Sequence, residues 1–292
     1  MKPEDLFAIL CRPALPKDTP EVIKFTSKIW EGEDYIPHVW EQWLHDYQGF
    51  LAVAEYAGQV AGIGRLKPLS SHEWWLEGLR VNPQFQGRGI ASHLHAYILD
   101  YWQRNASGVI RLGTASTRSQ IHHLCARDQF SKIAEFTMYE APTLAQQVTA
   151  FTPLNDKQVS DALEIIHTSP LYQLSFGLMD HGWEWSNPSA AHLMQTITRN
   201  EAWWWRNRRG LLIFRDEWEG KRRYPLLQLL ACTLEDLSDC LLDYRRQGAG
   251  SGHKSVGWLA PLQPKIQAAL TEAGFERTWD DSLVIYEKST PR

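Results

Sequence analysis

Residues 79–94 read "LRVNPQFQGRGIASHL": an apolar strand-like run, a proline, a polar turn with two glycines, then a segment of helical spacing. Val81 ends the strand, because Pro83 has no N–H with which to continue a ladder. Gly87 and Gly89 stand where the chain must turn directly into a helix. Glycine there permits backbone angles closed to other residues and lets a ligand approach the main chain. From Gly87 to Trp102 the apolar positions Ile90, Leu94, Tyr97, Ile98 and Tyr101 recur at helical spacing. The first turn of such a helix exposes N–H groups with no internal acceptor, its dipole adds partial positive charge, and Arg88 adds a full one. This place suits a pyrophosphate; the alternative is a strand-to-helix corner whose glycines serve packing alone.

The spacing excludes two nucleotide folds. It is not the GxxxxGK[ST] of a triphosphate loop, nor the GxGxxG that follows a first strand with an acid about 20 residues on. Composition narrows the class further. The 292 residues are 43% hydrophobic and 22% charged, with a net charge of −4, the balance of a globular chain long enough for two domains. That charge argues against nucleic acid or a membrane surface as the main partner. Cys11, Cys125, Cys232 and Cys240 are scattered without metal-finger spacing and read as reduced thiols. The opening "MKPEDLFAIL" lacks the apolar core of a signal peptide, and no window reaches the ~20 apolar residues of a membrane helix, so a cytoplasmic protein is expected.

Strand and helix patterns alternate along the chain. A first strand is expected over Phe7–Ala14, then a helix with Asp18 or Thr19 as N-cap and Pro20 in its first turn. A short helix holding Trp40, Trp43 and Tyr47 follows, then two strands turning at Ala57-Gly58, then the strand "HEWWLEGLRV". "GVIRLGTA" is a strand, "RSQIHHLCARDQF" a helix and "SKIAEFTMYEA" a closing strand. After "APTLAQQVTA" the order begins again, with Pro153 in the place of Pro13. A tandem repeat of about 140 residues is the working expectation, divided into domains at 1–143 and 144–292.

The whole string at 79–94 resembles the coenzyme A-binding segment of the GNAT superfamily of acyl-CoA N-acyltransferases. In that family a strand ends in Val-x-Pro and a [Gln/Arg]-x-x-Gly-x-[Gly/Ala] turn opens the next helix. The matching positions are Val81, Pro83, Gln84, Gly87 and Gly89, continuing through Ile90 and Ala91. The resemblance implies an α/β (α+β) fold of two tandem domains, each a mixed, mostly antiparallel central sheet flanked by helices. It implies acetyl-CoA as cosubstrate, with no metal, its pyrophosphate on the backbone N–H groups of Gln86, Gly87, Arg88, Gly89, Ile90 and Ala91. The strand Leu79, Arg80 and Val81 would pair by main-chain bonds with the pantetheine arm, and splaying from the next strand would open the acyl slot.

An alkyl amine with a pKa near 10 is about one part in a thousand neutral at pH 7, a penalty of about 4 kcal/mol, so a carboxylate base helps. Strand alternation puts Glu73, Trp75, Glu77, Leu79 and Val81 on one face. The resemblance makes Glu77 the first candidate base, with Glu73 behind it; both as plain surface acids is the alternative. The family's L-Y-x-x-x-G-F pattern, whose tyrosine protonates the leaving thiol, is here "LCARDQF". Cys125 stands in the tyrosine's place, either as a weak acid or as a small buried residue, and Tyr97, Tyr101 and Tyr139 are more distant substitutes.

The second half has no cradle. Its corresponding run "LLACTLEDLSDC" brings Glu235 and Asp236 to the helix start, where acids satisfy the dipole and repel phosphate. It reads as a degenerate copy that supports the first half, shapes the acceptor site or forms a homodimer. "EAWWWRNRR" mixes aromatics and arginines, as single-strand nucleic-acid binders do, but the net charge of −4 and the lack of an RNA-binding signature argue for packing, or for an acceptor wall, instead. The functions expected are N-acetyl transfer to the primary amine of a small molecule or peptide, or binding and sensing of acyl-CoA without catalysis.

Overall fold

The computed structural model describes residues 8–145 and 150–290. No helix among the described residues is long and apolar enough to cross a membrane. The chain forms two compact units, and they do not follow a single cut at residue 143. The first takes the described residues up to Leu112, then Gln120–Ser131 and the C-terminal segment from Tyr286; the second takes Gly113–Ser119 and Lys132–Ile285. The exchange joins residues more than a hundred positions apart, which no local pattern reports.

In the first unit, β1 (Leu10–Pro13), β2 (Phe50–Tyr56), β3 (Gln59–Pro68) and β4 (Glu73–Val81) pair antiparallel in sequence order. Then β5 (Val109–Ala115) pairs parallel with β4. Helices α1 (Thr19–Thr26) and α2 (Ile36–Leu44) cover one face, whose core includes Val22, Ile36, Trp40, Trp43 and Ile63. Helices α3 (Ile90–Asn105) and α4 (Ser119–Arg127) cover the other. The expected first strand is shorter than Phe7–Ala14, and Phe7 lies outside the described residues. Asp18 occupies the N-cap position of α1 but does not cap it. Its carboxylate holds Arg12 at 2.7 and 2.8 Å and accepts from the Leu15 amide at 2.8 Å instead.

Helix α3 carries the glycine turn, and packing fixes where it starts. Ile90, Leu94, Ile98 and Trp102 are almost fully buried, each worth about 1.5–3 kcal/mol over exposure. They close on β3 because Gly62 and Gly64 leave room. A Cβ at Gly62 would stand 3.0 Å from Ile90, and one at Gly64 would stand 2.8 Å from Ile98.

Strand β4 breaks its own alternation. Ile63 pairs with Arg80 and Arg65 with Glu77, so one extra β4 residue is accommodated between them. Gly78 takes the strain with φ +67°, and a Cβ there would lie 2.7 Å from the Trp43 ring of α2. The bulge overturns the expectation that Glu77 shares a face with Leu79 and Val81. Leu76, Leu79 and Val81 pack on the α3 side, whereas Glu77 bonds Arg65, whose guanidinium lies over Trp43 on the α2 side.

In the second unit, β6 (Ser131–Pro142) joins β7 (Phe151–Pro153), a short hairpin of β8 (Met179–Asp180) and β9 (Trp185–Ser186), β10 (Ala202–Trp205), β11 (Gly210–Glu219), β12 (Arg222–Ala231), β13 (Ser255–Pro261), β14 (Glu276–Arg277) and part of β15 (Leu283–Ser289). The main order is β6-β13-β12-β11-β10-β7, antiparallel except for β12–β13. Helices α5 (Val159–Thr168), α6 (Pro170–Leu174), α7 (Ala190–Thr198), α8 (Leu237–Gly250) and α9 (Pro264–Glu272) complete it. The tryptophan run is structural. Trp204 and Trp205 are buried in separate cores, and Trp203 stacks on Phe214. Its arginines are paired with acids: Arg206 with Asp239 and Asp243, Arg208 with Asp161, Arg209 with Asp236.

Replacing Gly78 by alanine should cost about 2 kcal/mol or more in urea unfolding, since the methyl meets Trp43 and the backbone angle is lost. Gly58→Ala is the control. Its φ of +75° is equally strained but nothing lies within 4 Å of the new Cβ, so about 1 kcal/mol is expected.

Candidate active site

The turn at 82–89 is built from its own backbone. The Asn82 amide donates to the Ala61 carbonyl at 2.8 Å, Asn82 Oδ1 accepts from the Gln84 amide at 3.1 Å, and the Phe85 amide donates to the Asn82 carbonyl at 2.8 Å. Gly87 and Gly89 then take φ of +76° and +81°, the left-handed angles that aim successive N–H groups to one side. Gly89 sits at the N-cap of α3 without a side-chain cap, so the amides of Ile90, Ala91 and Ser92 keep their donor capacity for a ligand. Arg88 is held beside the turn, its Nη1 donating to the Tyr56 hydroxyl at 3.3 Å and its guanidinium 5.3 Å from that ring. Nothing lies within 4 Å of where a Gly87 Cβ would be. That open space over uncapped amides fits a pyrophosphate.

A second feature lines up with the cradle. The β4–β5 ladder pairs only Glu73, Trp74 and Trp75 with Val109, Ile110 and Arg111. Beyond Trp75 the strands part, and the stretch Gly78–Val81 that leads to the cradle runs along this gap. An extended arm entering there meets main-chain donors and acceptors of β4 on one side, as an added strand would. Leu79, Arg80 and Val81 are in place to offer those backbone groups. The Arg80 side chain turns away, forked onto Asp34 at 3.0 and 3.1 Å, and is 4.3 Å from the Trp30 ring.

Glu77 lies at the bulge, on the α2 side. Arg65, only 5% exposed, bridges it to Asp46: Nη1 donates to Glu77 at 2.5 Å and Nη2 to the Asp46 carboxylate. Asp46 is held below the usual carboxylate range. Desolvation opposes this, but the Gln48 amide and Arg65 outweigh it. Burial first, and then the charge of Glu77, push the Tyr35 phenol up to about 12. Glu73 lies at the opposite end of β4 from the cradle. It is bound by buried Arg111 at 2.6 Å, and Arg111 also donates to Glu287 at 2.7 Å. That position ties β4 to β5 where they still pair. Cys125 is fully buried among the apolar side chains of the α3 core, and desolvation pushes its thiol up to about 12. This burial is what the alternative reading of Cys125, a small buried residue, expects.

Arg65, Asp46 and Tyr35 are additions that sequence reading missed. Arg65 reaches Glu77 from β3, Asp46 joins through Arg65 from the α2–β2 connection, and Tyr35 comes from the α1–α2 connection; no spacing motif links them. In the second unit the register shifts at the equivalent place, with Ile213 opposite Leu229 and Phe214 opposite Leu227. Counting from Ile63–Arg80 and Ile213–Leu229, Gly62 and Gly64 become Leu212 and Phe214, and Glu77 becomes Leu226. At the helix start there Asp236 stands at the N-cap without a side-chain cap bond, and Arg209 holds it at 2.5 Å.

A splayed parallel strand pair leading into a glycine-rich helix start defines the GNAT acyl-CoA N-acyltransferase fold. Residues 17–129 match the Acetyltransferase (GNAT) family. Among curated relatives, histidine N-acetyltransferase of Xenopus tropicalis is 31% identical over 87 residues, 30% of this chain and 27% of that protein. The Oreochromis niloticus histidine N-acetyltransferase is 33% identical over 82 residues, 28% of this chain and 24% of that protein. The chain thus spans about a quarter of the length of these relatives. Among solved structures, a GCN5-related N-acetyltransferase from Sphaerobacter thermophilus superposes with TM-score 0.63 at 11% identity, over 97% of this chain and 96% of that one. A tandem GNAT protein from the clavulanic acid biosynthesis pathway gives 0.59 at 12% identity, over 98% and 99%. At such identities the likeness concerns the fold, and it covers both halves.

Two outcomes follow from this geometry. Gly87→Glu places a carboxylate in the cradle and should weaken coenzyme A binding at least about 100-fold by isothermal titration, since like charges meet at short range. Iodoacetamide at pH 8 should modify Cys125 only after unfolding, as peptide mapping will show, because both burial and its raised pKa withhold the thiolate.

Proposed function

We propose that this protein is an N-acetyltransferase that moves the acetyl group of acetyl-CoA onto a primary amine by direct attack within one ternary complex. The observation that carries this reading is the conjunction at β4. One strand has an uncapped glycine turn at its end, a ladder that parts from β5, and a carboxylate at the bulge between them. The residues fit the cosubstrate: amides of Gln86–Ala91 for the pyrophosphate, Gly78–Val81 for the pantetheine arm.

Glu77 takes the proton that the amine must lose. Arg65 fixes the carboxylate through one oxygen, and the acceptor meets it directly or through a relaying water. Such an ion pair fixes the direction of the carboxylate, and a base must lie within hydrogen-bond reach of the proton it takes. The acceptor approaches from the α1–α2 side, where half-exposed Trp30 and Tyr35 flank Arg80. The named activity of the relatives makes free histidine the first acceptor to try. The C-terminal half, with Leu226 in place of the carboxylate and an acid at its helix start, serves as a supporting copy that holds no coenzyme A.

Release of free thiol from acetyl-CoA should be measured against histidine, other amino acids, polyamines and peptide N-termini. Glu77→Gln should lower kcat about 100-fold or more on the active acceptor with coenzyme A affinity unchanged. Coenzyme A binding with no thiol release on any amine is instead the behaviour of an acyl-CoA sensor.

A further inference from the structure

The second unit contains a gap of its own. Strands β12 and β13 run parallel but pair only at Leu226–Gly257 and Leu227–Trp258. From there β12 continues beside β11, β13 continues beside β6, and the two part. Gln228, the bulge residue of β12, has no counterpart on β11. Phe136, Tyr172, Trp185 and Trp258 wall the space, and Gln228 and Asp180 of β8 line it. All six belong to the second unit. The enclosed part is about 10 Å³, room for one water or one ammonium group.

Two polar side chains in this space lack the partners that burial demands. Gln228 is 7% exposed, and its amide makes no hydrogen bond to any described residue. Asp180 is 5% exposed. Its Oδ1 accepts from the Gly182 and Trp183 amides, each at 2.7 Å, while Oδ2 meets no hydrogen-bond donor among the described residues. The nearby cation, Arg215, is committed to Glu217. Burial pushes the Asp180 carboxyl up to about 6, against the pull of Arg215 and of the two amides, so it is mostly ionised at pH 7. A buried carboxylate and a buried amide in this condition cost stability unless a ligand or water completes them.

The lining selects the ligand. The carboxylate repels anions. Among the described residues no group of three or more His, Cys, Asp or Glu could hold a metal ion. An –NH3+ group brings three donors and no acceptor. Asp180 Oδ2 and Gln228 Oε1 supply two acceptors, and the strand edges that part there carry main-chain carbonyls for the third. Aromatic rings attract a cation through their faces and cover the methylenes behind it.

We propose that the gap between β12 and β13 binds the ammonium end of a small primary alkylamine, held by Asp180 and Gln228, with the alkyl chain leaving between the aromatic side chains. The site lies in the other unit from Glu77 and the cradle. It goes beyond the acetyltransferase reading and stands or falls without it.

Calorimetric titration of the full chain with n-butylammonium at pH 7, without acetyl-CoA, tests this. The acetyltransferase reading puts an amine in the first unit too, so the titration is repeated with Glu77→Gln, Asp180→Asn and Gln228→Leu. Native protein and Glu77→Gln should bind with a Kd of about 1 mM or tighter, within what so small a ligand can supply. 1-Butanol, of the same length without the charge, should not bind. Asp180→Asn keeps an oxygen for the Gly182 and Trp183 amides but loses the charge, and should weaken binding about 10-fold or more. Gln228→Leu replaces an unpartnered amide by an apolar side chain, so it should weaken binding while raising the melting temperature. It decides the matter should Asp180→Asn fail to fold. Native affinity in the folded variants overturns the proposal. So does the absence of binding to native protein at about 10 mM amine, the behaviour of a cavity that holds water alone. Binding lost in Glu77→Gln but kept in Asp180→Asn assigns the amine to the first unit and overturns it as well.

Discussion

The contact between Gly78 and the Trp43 ring is the constraint on which the first unit turns. With no Cβ and a positive φ, Gly78 lets β4 carry one residue more than β3 can pair. That extra residue shifts the strand's alternation at its midpoint. Above the bulge, Leu79 and Val81 seal the α3 core; below it, Glu77 faces α2. Without the shift, the carboxylate would be driven into the apolar core of α3 or the leucine exposed in its place, and either costs several kcal/mol.

Charge at this site is organised in closed pairs. Arg65 joins Glu77 to Asp46, Arg80 joins Asp34, and Arg111 joins Glu73 to Glu287. Buried guanidinium groups of this kind are tolerable only when their forks are filled, and removing one partner leaves an uncompensated charge. Each pair also connects segments far apart in sequence, so the same bonds that satisfy charge hold the strands and the α1–α2 connection in register. The gap between β4 and β5 opens where the last of these ties, Arg111, ends.

The second unit has a similar sheet with different side chains at the corresponding places. Its sheet keeps the bulge, now at Gln228, and its parallel strand pair. Leucine and phenylalanine replace the two glycines that let a helix close on β3, and the helix start is met by its own Asp236. A sheet bulge is a backbone property and survives many side chains. A left-handed turn into a helix depends on particular glycines, and few substitutions remove it.

The sequence by itself determined the local features of this protein. The cradle at 82–91, its helix and the α/β character all follow from short-range rules of proline, glycine and hydrophobic period, and all are legible in one stretch. Glu77 was also in view, but on the wrong face, because alternation assumes a strand without a bulge and Gly78 looks like any other glycine in the sequence. Only the tertiary structure decided the rest: the burial of Cys125, the bridge from Arg65 and the return of Tyr286 to His122. These depend on pairing over separations of 12 to 164 residues, and side chains that meet only through the sheet leave no periodic trace along the chain.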